Sequence, residues 1–325
     1  MTDLQIAVTH LAAKKPRYDM LWRYRDGDQP LIYSSSKLKE VFRGLDARFV
    51  VNVCGVVVNS VLDRLTLRTL QIAASEQADA ALQAVREASG LIDDEYAVHE
   101  DVCVTGEAFV LAWRNEDTGV IEAFQNDSRL CHAEYDVANP RRLRFAAKWW
   151  DESGVKRLNL YYPDRIEYYA TNREFKQGEM PDERSFVPFG DEPVSVNEWG
   201  QIPVFHFRSS RRGPKSQLID AVSIQDMINK TTSDMMLTSE FMAGPLRWAI
   251  SEVGLTGAPL RSSPNAVWDL PASAKDVQPT QVGQFPAADL SNFLIVIDNF
   301  LTKLGVITST PKHYFYAQGG DPSGE

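Results

Sequence analysis

The chain has 325 residues, of which 44% are hydrophobic and 24% are charged. This length and composition indicate folded domains with room for two or three compact units, and they exclude a wholly disordered protein. The formal net charge of −10 argues against a protein that grips nucleic acid tightly, because such proteins neutralise phosphates with basic surfaces.

The N-terminus and the cysteines predict an unanchored protein made in the cytoplasm. Residues 1–10 lack the basic-then-apolar plan of a signal peptide, and no apolar run approaches the roughly 20 residues that cross a bilayer. Cys54, Cys103 and Cys131 are odd in number and unclustered, which is typical of a reducing compartment.

Three helices are predicted in the first third of the chain. Apolar residues recur at three- and four-residue steps within residues 37–70 and predict a buried helix. Residues 75–88 predict a more exposed helix, with Gly90 as its stop. A third helix is expected to begin at the acidic residues 93–95, which suit the positive end of a helix dipole, and to end at Gly106.

The pattern changes to that of β-strands after Gly106, since runs of β-forming residues are separated by turn sequences. The predicted strands span residues 108–113, 120–124, 143–150, 155–162, 166–170 and 204–207. The first two form one hairpin, and the next three form a meander. Residues 171–197, which are rich in charge, proline and glycine, predict a long surface loop.

Two long helices are predicted in the last third. The first covers residues 216–243, stops at Gly244 and Pro245, and would be about 40 Å long at ~1.5 Å per residue. Its stripe comprises Ile224, Met227, Ile228, Thr231, Met235 and Met242. After a short mixed segment, the second helix is expected to end at Gly305. Its apolar face comprises Leu290, Phe293, Leu294, Ile297, Leu301 and Leu304.

Local motifs for catalysis are missing from the sequence, which has no nucleophile elbow, phosphate-binding glycine loop or zinc-protease helix. His99, near Glu95 and Cys103, and His132, beside Cys131, are incomplete metal sites, and solvated helix or strand positions explain them better. The acidic run 93–101 could hold a cation, but an acidic helix start needs none.

Aromatic residues and methionines also allow two interpretations. The aromatics of the predicted meander could stack nucleic-acid bases, although packed strand faces explain them better. They are Trp149, Trp150, Tyr161, Tyr162, Tyr168 and Tyr169. The methionines of the first long helix could form an adaptable binding groove, although helix packing is the stronger interpretation. They are Met227, Met235, Met236 and Met242.

Three stretches of the sequence resemble the siphophage type of portal protein from tailed double-stranded DNA bacteriophages. The first is YYPDRIEYY at residues 161–169. The second is NEWGQIPVFHF at residues 197–207, followed by Gly213, residues 216–220, Asp226, Asn229, Lys230 and Ser233. The third is TKLGV at residues 302–306 with GGDPSGE at residues 319–325.

This resemblance implies an α+β protomer with a mixed α/β wing, long stem helices and a small α/β clip. Residues 1–210 would be the wing, with helices and an antiparallel β meander. The other segments would be a first stem helix (211–244), the clip (245–286), a second stem helix (287–304) and a tunnel loop (305–325). The family's helical crown is absent, so we expect the sequence to be truncated at its C-terminus.

The function implied by the resemblance is structural rather than enzymatic, with no cofactor and no metal. Copies of the protein would form a ring, commonly a dodecamer, at one capsid vertex of the virion after assembly in the host cytoplasm. The ring would be a channel for DNA packaging and ejection. Its partners would be terminase, a head-tail adaptor, capsid and scaffold proteins, and double-stranded DNA that passes non-specifically, with no membrane. An acidic subunit suits a channel in which DNA must slide.

Three groups of residues are the candidate sites under this resemblance. Lys303 and Lys312 would contact DNA in the channel or tunnel loop, with solvated helix-end charges as the alternative. The apolar anchors of the clip, where terminase and adaptor bind, would be Leu246, Trp248, Val267 and Trp268. Subunit packing would involve Met227, Met235, Met242, Phe293, Ile297 and Leu301.

Two other functions remain open from the sequence. One is a hydrolase whose site is assembled from Asp, Glu and His residues scattered across the meander. The other is a structural module of a different virion ring, such as an adaptor, although adaptors are usually much shorter.

Overall fold

The fold is known from a computed structural model. It describes residues 1–30, 50–68, 70–73, 75–115, 117–176, 179–210, 212–242, 247–250, 281–284 and 289–316. The chain divides into two compact units. The first unit comprises residues 1–29, 52–222 and 307–325, and the second comprises residues 30–51 and 223–306. Helices and antiparallel sheets are both present, so the predicted α+β class is confirmed.

The helices of the first unit are α1 (Asp3–Asp26), α2 (Val53–Leu62), α3 (Glu76–Ala88) and α4 (Leu91–Thr105). The prediction of α3 is confirmed, and the hydroxyl of Ser75 caps it by accepting a hydrogen bond from the Ala78 amide. The prediction of α4 is also confirmed, including its end at Gly106, which has a φ of 96°. Helix α2 is shorter than the predicted helix, and residues 31–49 lie outside the described part of the chain.

Helix α1, with 24 residues, was not predicted from the sequence. Pro16 lies inside it, and charged residues interrupt its apolar spacing, so no helical stripe is evident. The helix nevertheless buries one face, which includes Ala7, Leu11, Tyr18 and Leu21. Tertiary packing therefore stabilises a helix that the spacing of its apolar residues does not predict.

The described part of the first unit also contains two antiparallel sheets. Strands β1 (Glu107–Arg114), β2 (Ile121–Asn126) and β9 (Val204–Arg208) form a three-stranded sheet in the order β2-β1-β9. The six-stranded sheet contains β3 (Cys131–Tyr135), β4 (Leu143–Glu152), β5 (Val155–Tyr161), β6 (Arg165–Thr171), β7 (Phe186–Pro188) and β8 (Val194–Val196). Its order is β3-β4-β5-β6-β7, and β8 also pairs with β6.

The predicted hairpins are confirmed, since β1 pairs with β2 and β4 pairs with β5 in antiparallel register. The prediction of a plain surface loop over residues 171–197 is wrong. That segment contains β7, β8 and a 3-10 turn at Glu183–Ser185, and it buries Phe175 and Phe186. Each of these strands has only three residues and lies in a mostly polar stretch, so the alternation of apolar and polar residues is too short to predict it.

Two clusters of buried side chains lie in the described part of the first unit's core. One packs Ala7 and Leu11 of α1 against Phe145, Leu158 and Leu160 of the six-stranded sheet. The other packs side chains of both sheets together, namely Phe109, Leu111, Val204, Ala146, Tyr161 and Ile166. Each fully buried large side chain contributes about 1.5–3 kcal/mol to folding. Trp149, Tyr161 and Tyr162 are buried, which confirms that packed strand faces explain these aromatics.

The second unit contains most of α5 (Val222–Met242), the paired strands β10 (Arg247–Ile250) and β11 (Gln281–Gln284), and most of α6 (Ser291–Thr308). Helix α5 begins later than predicted, because residues 216–221 form turns. Helix α6 continues past Gly305, so the predicted cap at Gly305 is wrong. The division of the chain into wing, stem, clip and tunnel loop stays a prediction.

Candidate functional site

Helix α6 exposes apolar side chains on several faces. Ile295 and Val306 are 59% and 77% exposed, and Leu294, Val296 and Ile307 are also exposed. Among the described helices, α6 alone is long and apolar enough to cross a membrane by length and composition. A helix that is apolar all round is ordinarily buried, so α6 needs a covering partner.

The exposed positions of α6 differ from the predicted packing residues. Phe293, Ile297 and Leu301 are half-buried on one side of the helix, and Leu304 on the same side is fully buried. Ile295 and Val306 are eleven residues apart, which brings them to one face after three turns, and Val296 and Ile307 are related in the same way. These four apolar residues fall outside the predicted stripe of the helix, and they were the sequence signal for its two exposed faces.

The buried side of α5 is largely polar. Gln225, Asn229 and Ser233 are buried at four-residue steps, together with Ile228. The Gln225 side-chain amide donates to the Val51 carbonyl at 2.7 Å, and the Val51 amide donates to Asn229 Oδ1 at 3.2 Å. Two side chains thus satisfy both backbone groups of one residue, a role that the sequence pattern did not suggest.

The methionines of α5 lie elsewhere on the helix. Met227 and Met236 are exposed, and Met235 is half-buried. The side chain of Met242 lies outside the described part of the structure. Their part in packing between subunits stays a prediction.

The two candidate channel lysines are exposed, and each lies near an aromatic ring. Lys303 on α6 has its Nζ 5.9 Å from the centre of the Phe300 ring. Lys312 begins a 3-10 turn at Lys312–Phe315, and its Nζ lies 5.3 Å from the centre of the Tyr316 ring. Both ammonium groups are therefore placed where a passing anion can reach them.

Trp248 is the one predicted clip anchor that lies within the described residues, because Leu246, Val267 and Trp268 lie outside them. Trp248 on β10 pairs with Gly283 on β11, and its indole covers that glycine. A Cβ atom at position 283 would lie 2.2 Å from Trp248 Cζ2, so a larger residue has no room there. The half-buried indole therefore helps to build the small sheet and still reaches its surface.

A buried polar centre connects α1 with the three-stranded sheet. The Glu107 carboxylate accepts hydrogen bonds at 2.8 Å from Lys14 Nζ, the Tyr18 hydroxyl and His206 Nε2. Lys14 also donates to the carbonyl of Cys131. Burial by itself raises the pKa of Glu107, but the hydrogen bond from His206 and the charge of Lys14 outweigh it and lower the pKa to about 2. Glu107 is therefore ionised in the folded protein, and its carboxylate joins α1 to the three-stranded sheet.

The cluster of His10, His132 and Glu134, found among the described residues, is not arranged to bind a metal ion. The ligand atoms of His10, His132 and Glu134 lie within 4.8 Å of one another. The two imidazoles, however, are stacked with centres 4.7 Å apart and planes 6° from parallel. Because imidazole lone pairs lie in the ring plane, parallel stacked rings do not aim at one ion. Burial and the nearby Lys14 lower the pKa of His132 to about 3, so it is neutral at pH 7.

The acidic run at residues 93–101 makes hydrogen bonds within the chain. Asp94 accepts from the Gln125 amide, and the buried Asp101 accepts from the amide and hydroxyl of Ser128. Burial raises the pKa of Asp101 to about 7, although the bonds from Ser128 oppose this shift. These carboxylates hold the β2–β3 turn against α4, a structural role that needs no cation.

Two comparisons relate the chain to known proteins. The sequence model of the family described as "Phage portal protein, SPP1 Gp6-like" matches residues 4–325. A solved structure, "Virion of native gene transfer agent (GTA) particle", is similar with a TM-score of 0.45 and 10% sequence identity, over 90% of this chain and 74% of that chain. No curated protein matches the sequence.

Proposed function

This chain belongs to the SPP1 Gp6-like family of phage portal proteins, and we propose that its copies form a closed ring around a DNA channel at one capsid vertex. It is a phage portal protein and a component of the virion. The family is structural, so we propose that the chain has no catalytic activity. The match favours this function over a hydrolase.

The exposed apolar faces of α6 are the observation that supports ring formation. Ile295 and Val306 leave large apolar surface in water when the chain is alone. In a ring, one face of a subunit packs against a different face of the next, so a helix with two apolar faces is suited to contact both neighbours. We propose that α6 is covered in this way rather than by a membrane.

The ring is tested directly by native mass spectrometry of the purified protein at micromolar concentration. A closed ring is expected, with a dodecamer as the expected size. Electron microscopy of the same sample should show annular particles with a central hole. Monomers alone in both measurements would contradict the proposed assembly.

The remaining partners are proposed from membership of the family. Terminase and then a head-tail adaptor would dock at the segment that contains Trp248, whose indole reaches the surface of a small sheet. Capsid and scaffold proteins would surround the ring, and assembly would take place in the host cytoplasm. Double-stranded DNA would pass through without sequence preference, which suits a chain of net charge −10.

Replacing Lys303 and Lys312 together with glutamate should lower DNA packaging by phage that carry the change. Both side chains are exposed, so we expect the folded structure to be retained, because exposed charges typically contribute less than ~1 kcal/mol. The measurement is the amount of packaged DNA per particle. Lys176→Glu with Lys215→Glu, the same change of charge at two exposed positions of the first unit, is the control. Unchanged packaging in the double variant would show that neither lysine contacts DNA in the channel.

A further inference from the structure

The three-stranded sheet has two edges, and strand β9 is one of them. The Ala112 amide donates to the Pro203 carbonyl, and the Ser209 amide donates to the Gly106 carbonyl. Because hydrogen-bonded pairs alternate in an antiparallel ladder, Phe205 and Phe207 also bond to β1. The amides and carbonyls of His206 and Arg208 consequently point away from β1, toward the free edge.

The opposite edge, strand β2, is protected by side chains. By the same alternation, Ala123 and Gln125 direct their amides away from β1. The Ala123 amide donates to Ser89 Oγ at 2.8 Å, and the Gln125 amide donates to Asp94 Oδ2 at 2.9 Å. On β9, no described residue accepts from the outward amides of His206 and Arg208. The sheet therefore blocks one edge and leaves the other open.

The two faces beside this open edge differ in chemistry. Phe205 and Phe207 are 50% and 47% exposed on one face. On the other face, Arg208 adjoins a cavity of about 400 Å³ that Lys14 and Arg17 also line. The apolar surface of Phe205 and Phe207 and the basic surface that Arg208 forms with Lys14 and Arg17 thus lie on opposite faces of β9.

The two arginines of the basic face are not neutralised within the described residues. Lys14 and His206 already bond to Glu107. Arg17 and Arg208 have no carboxylate partner in the described part of the chain, and the guanidinium of Arg208 only covers the Tyr135 ring at 4.5 Å. Two arginines are thus available to an anion that lies along the edge of β9.

We propose that β9 accepts an extended peptide as an added strand, with acidic side chains facing Arg17 and Arg208 and apolar side chains facing Phe205 and Phe207. The outward amides and carbonyls provide backbone pairing, and the two faces select the alternating side chains. A DNA backbone offers acceptors only and would leave the carbonyls unpaired, so the edge favours a peptide over DNA. This surface belongs to the first unit and does not depend on ring formation.

The probe is a fluorescein-labelled ten-residue peptide of alternating glutamate and valine, added to the full chain and followed by fluorescence anisotropy. We expect saturable binding that weakens as salt rises. A peptide with lysine in place of glutamate should bind at least tenfold more weakly. A peptide with its glutamates grouped at one end should also bind more weakly, since its acidic residues no longer share one face. Equal binding of all three peptides, or no binding of the first, would overturn the proposal.

Two substitutions at one position separate charge from backbone pairing. Arg208→Gln removes the charge and keeps the outward amide, so binding of the glutamate–valine peptide should fall about tenfold. Arg208→Pro removes the amide as well, without touching the ladder to β1, and edge strands tolerate proline in this orientation. It should weaken binding at least tenfold beyond Arg208→Gln. With circular dichroism unchanged, equal affinities of the two variants would refute strand pairing.

Hydrogen exchange on the unaltered protein provides a measurement that needs no variant. Bound peptide should slow exchange of the His206 and Arg208 amides at least tenfold and leave Phe205 and Phe207 nearly unchanged. Uniform or absent protection would contradict the proposal. Native mass spectrometry without peptide tests whether a second copy of the chain occupies this edge instead. Loss of oligomers in Arg208→Pro but not in Arg208→Gln would identify the second copy as occupant and overturn the peptide assignment.

Discussion

Replacing Ile295 and Val306 together with glutamate should abolish ring formation and leave a folded monomer. Both side chains are mostly exposed in the isolated chain and lie on one face of α6, so the subunit loses little internal packing. In a ring the same positions are buried, and each glutamate must be desolvated without a partner. A loss of ~3 kcal/mol per interface weakens each contact more than 100-fold. Native mass spectrometry and circular dichroism of the variant measure assembly and folding separately.

The double variant Val137→Glu with Val196→Glu is the matched control for this experiment, because both valines are mostly exposed in the first unit and the change adds the same two charges. Its rings should be indistinguishable from those of the unaltered protein. Intact rings in the α6 double variant would show that this face is not an interface. Loss of rings in both variants would trace the effect to added negative charge.

Glu107→Gln should destabilise the first unit by about 3 kcal/mol at pH 7, because a buried ion pair that loses one partner leaves the other charge uncompensated. Lys14 and Glu107 are both largely buried, and an amide cannot accept three hydrogen bonds as a carboxylate does. The measurement is the urea midpoint followed by circular dichroism. Glu198→Gln, an exposed position, is the control and should leave the midpoint unchanged.

The pH dependence gives this prediction a second readout. The pKa of Glu107 is about 2 in the folded protein and near 4.5 when unfolded, so its contribution is complete above pH 4.5 and is lost as pH falls toward 2. The stability difference between the unaltered protein and Glu107→Gln should therefore shrink over this window by up to ~1.4 kcal/mol per pH unit. Asp101 titrates in both proteins, and because Glu107 does not contribute to its pKa shift, its effect cancels in the difference. A difference independent of pH would show that Glu107 is not held as a carboxylate.

Local signals in the sequence were enough to predict several helix ends and one hairpin. Ser75 and Gly106 mark helix ends because capping and left-handed backbone conformations favour these residue types within a few positions. The β4–β5 hairpin was predictable for the same reason, since a turn sequence separates two β-forming runs. The family resemblance also rested on short stretches that the sequence contains in order, and the family match over residues 4–325 agrees with it.

The polar centre was beyond the reach of sequence patterns. Lys14 and Glu107 are 93 residues apart, and Lys14 lies in a helix with no visible apolar stripe. Their contact depends on α1 packing against the sheets, which is decided by burial of distant side chains rather than by local spacing. The histidines weighed as incomplete metal sites, His99 and His132, do not belong to this site, and His206, which does, has no chemical motif around it.

The sequence by itself determined the α+β class, most strand pairings of the meander, two long helices and membership of the portal family. The helices and strand pairings depend on residues close together in the chain, through capping, turn geometry and hydrophobic periodicity. Family membership rests instead on the stretches of sequence that resemble portal proteins. Only the tertiary structure decided which apolar positions of α6 remain exposed, which edge of the three-stranded sheet stays open and which charges meet at Glu107. Each of these depends on contacts between segments far apart in sequence, whose mutual burial no local pattern encodes.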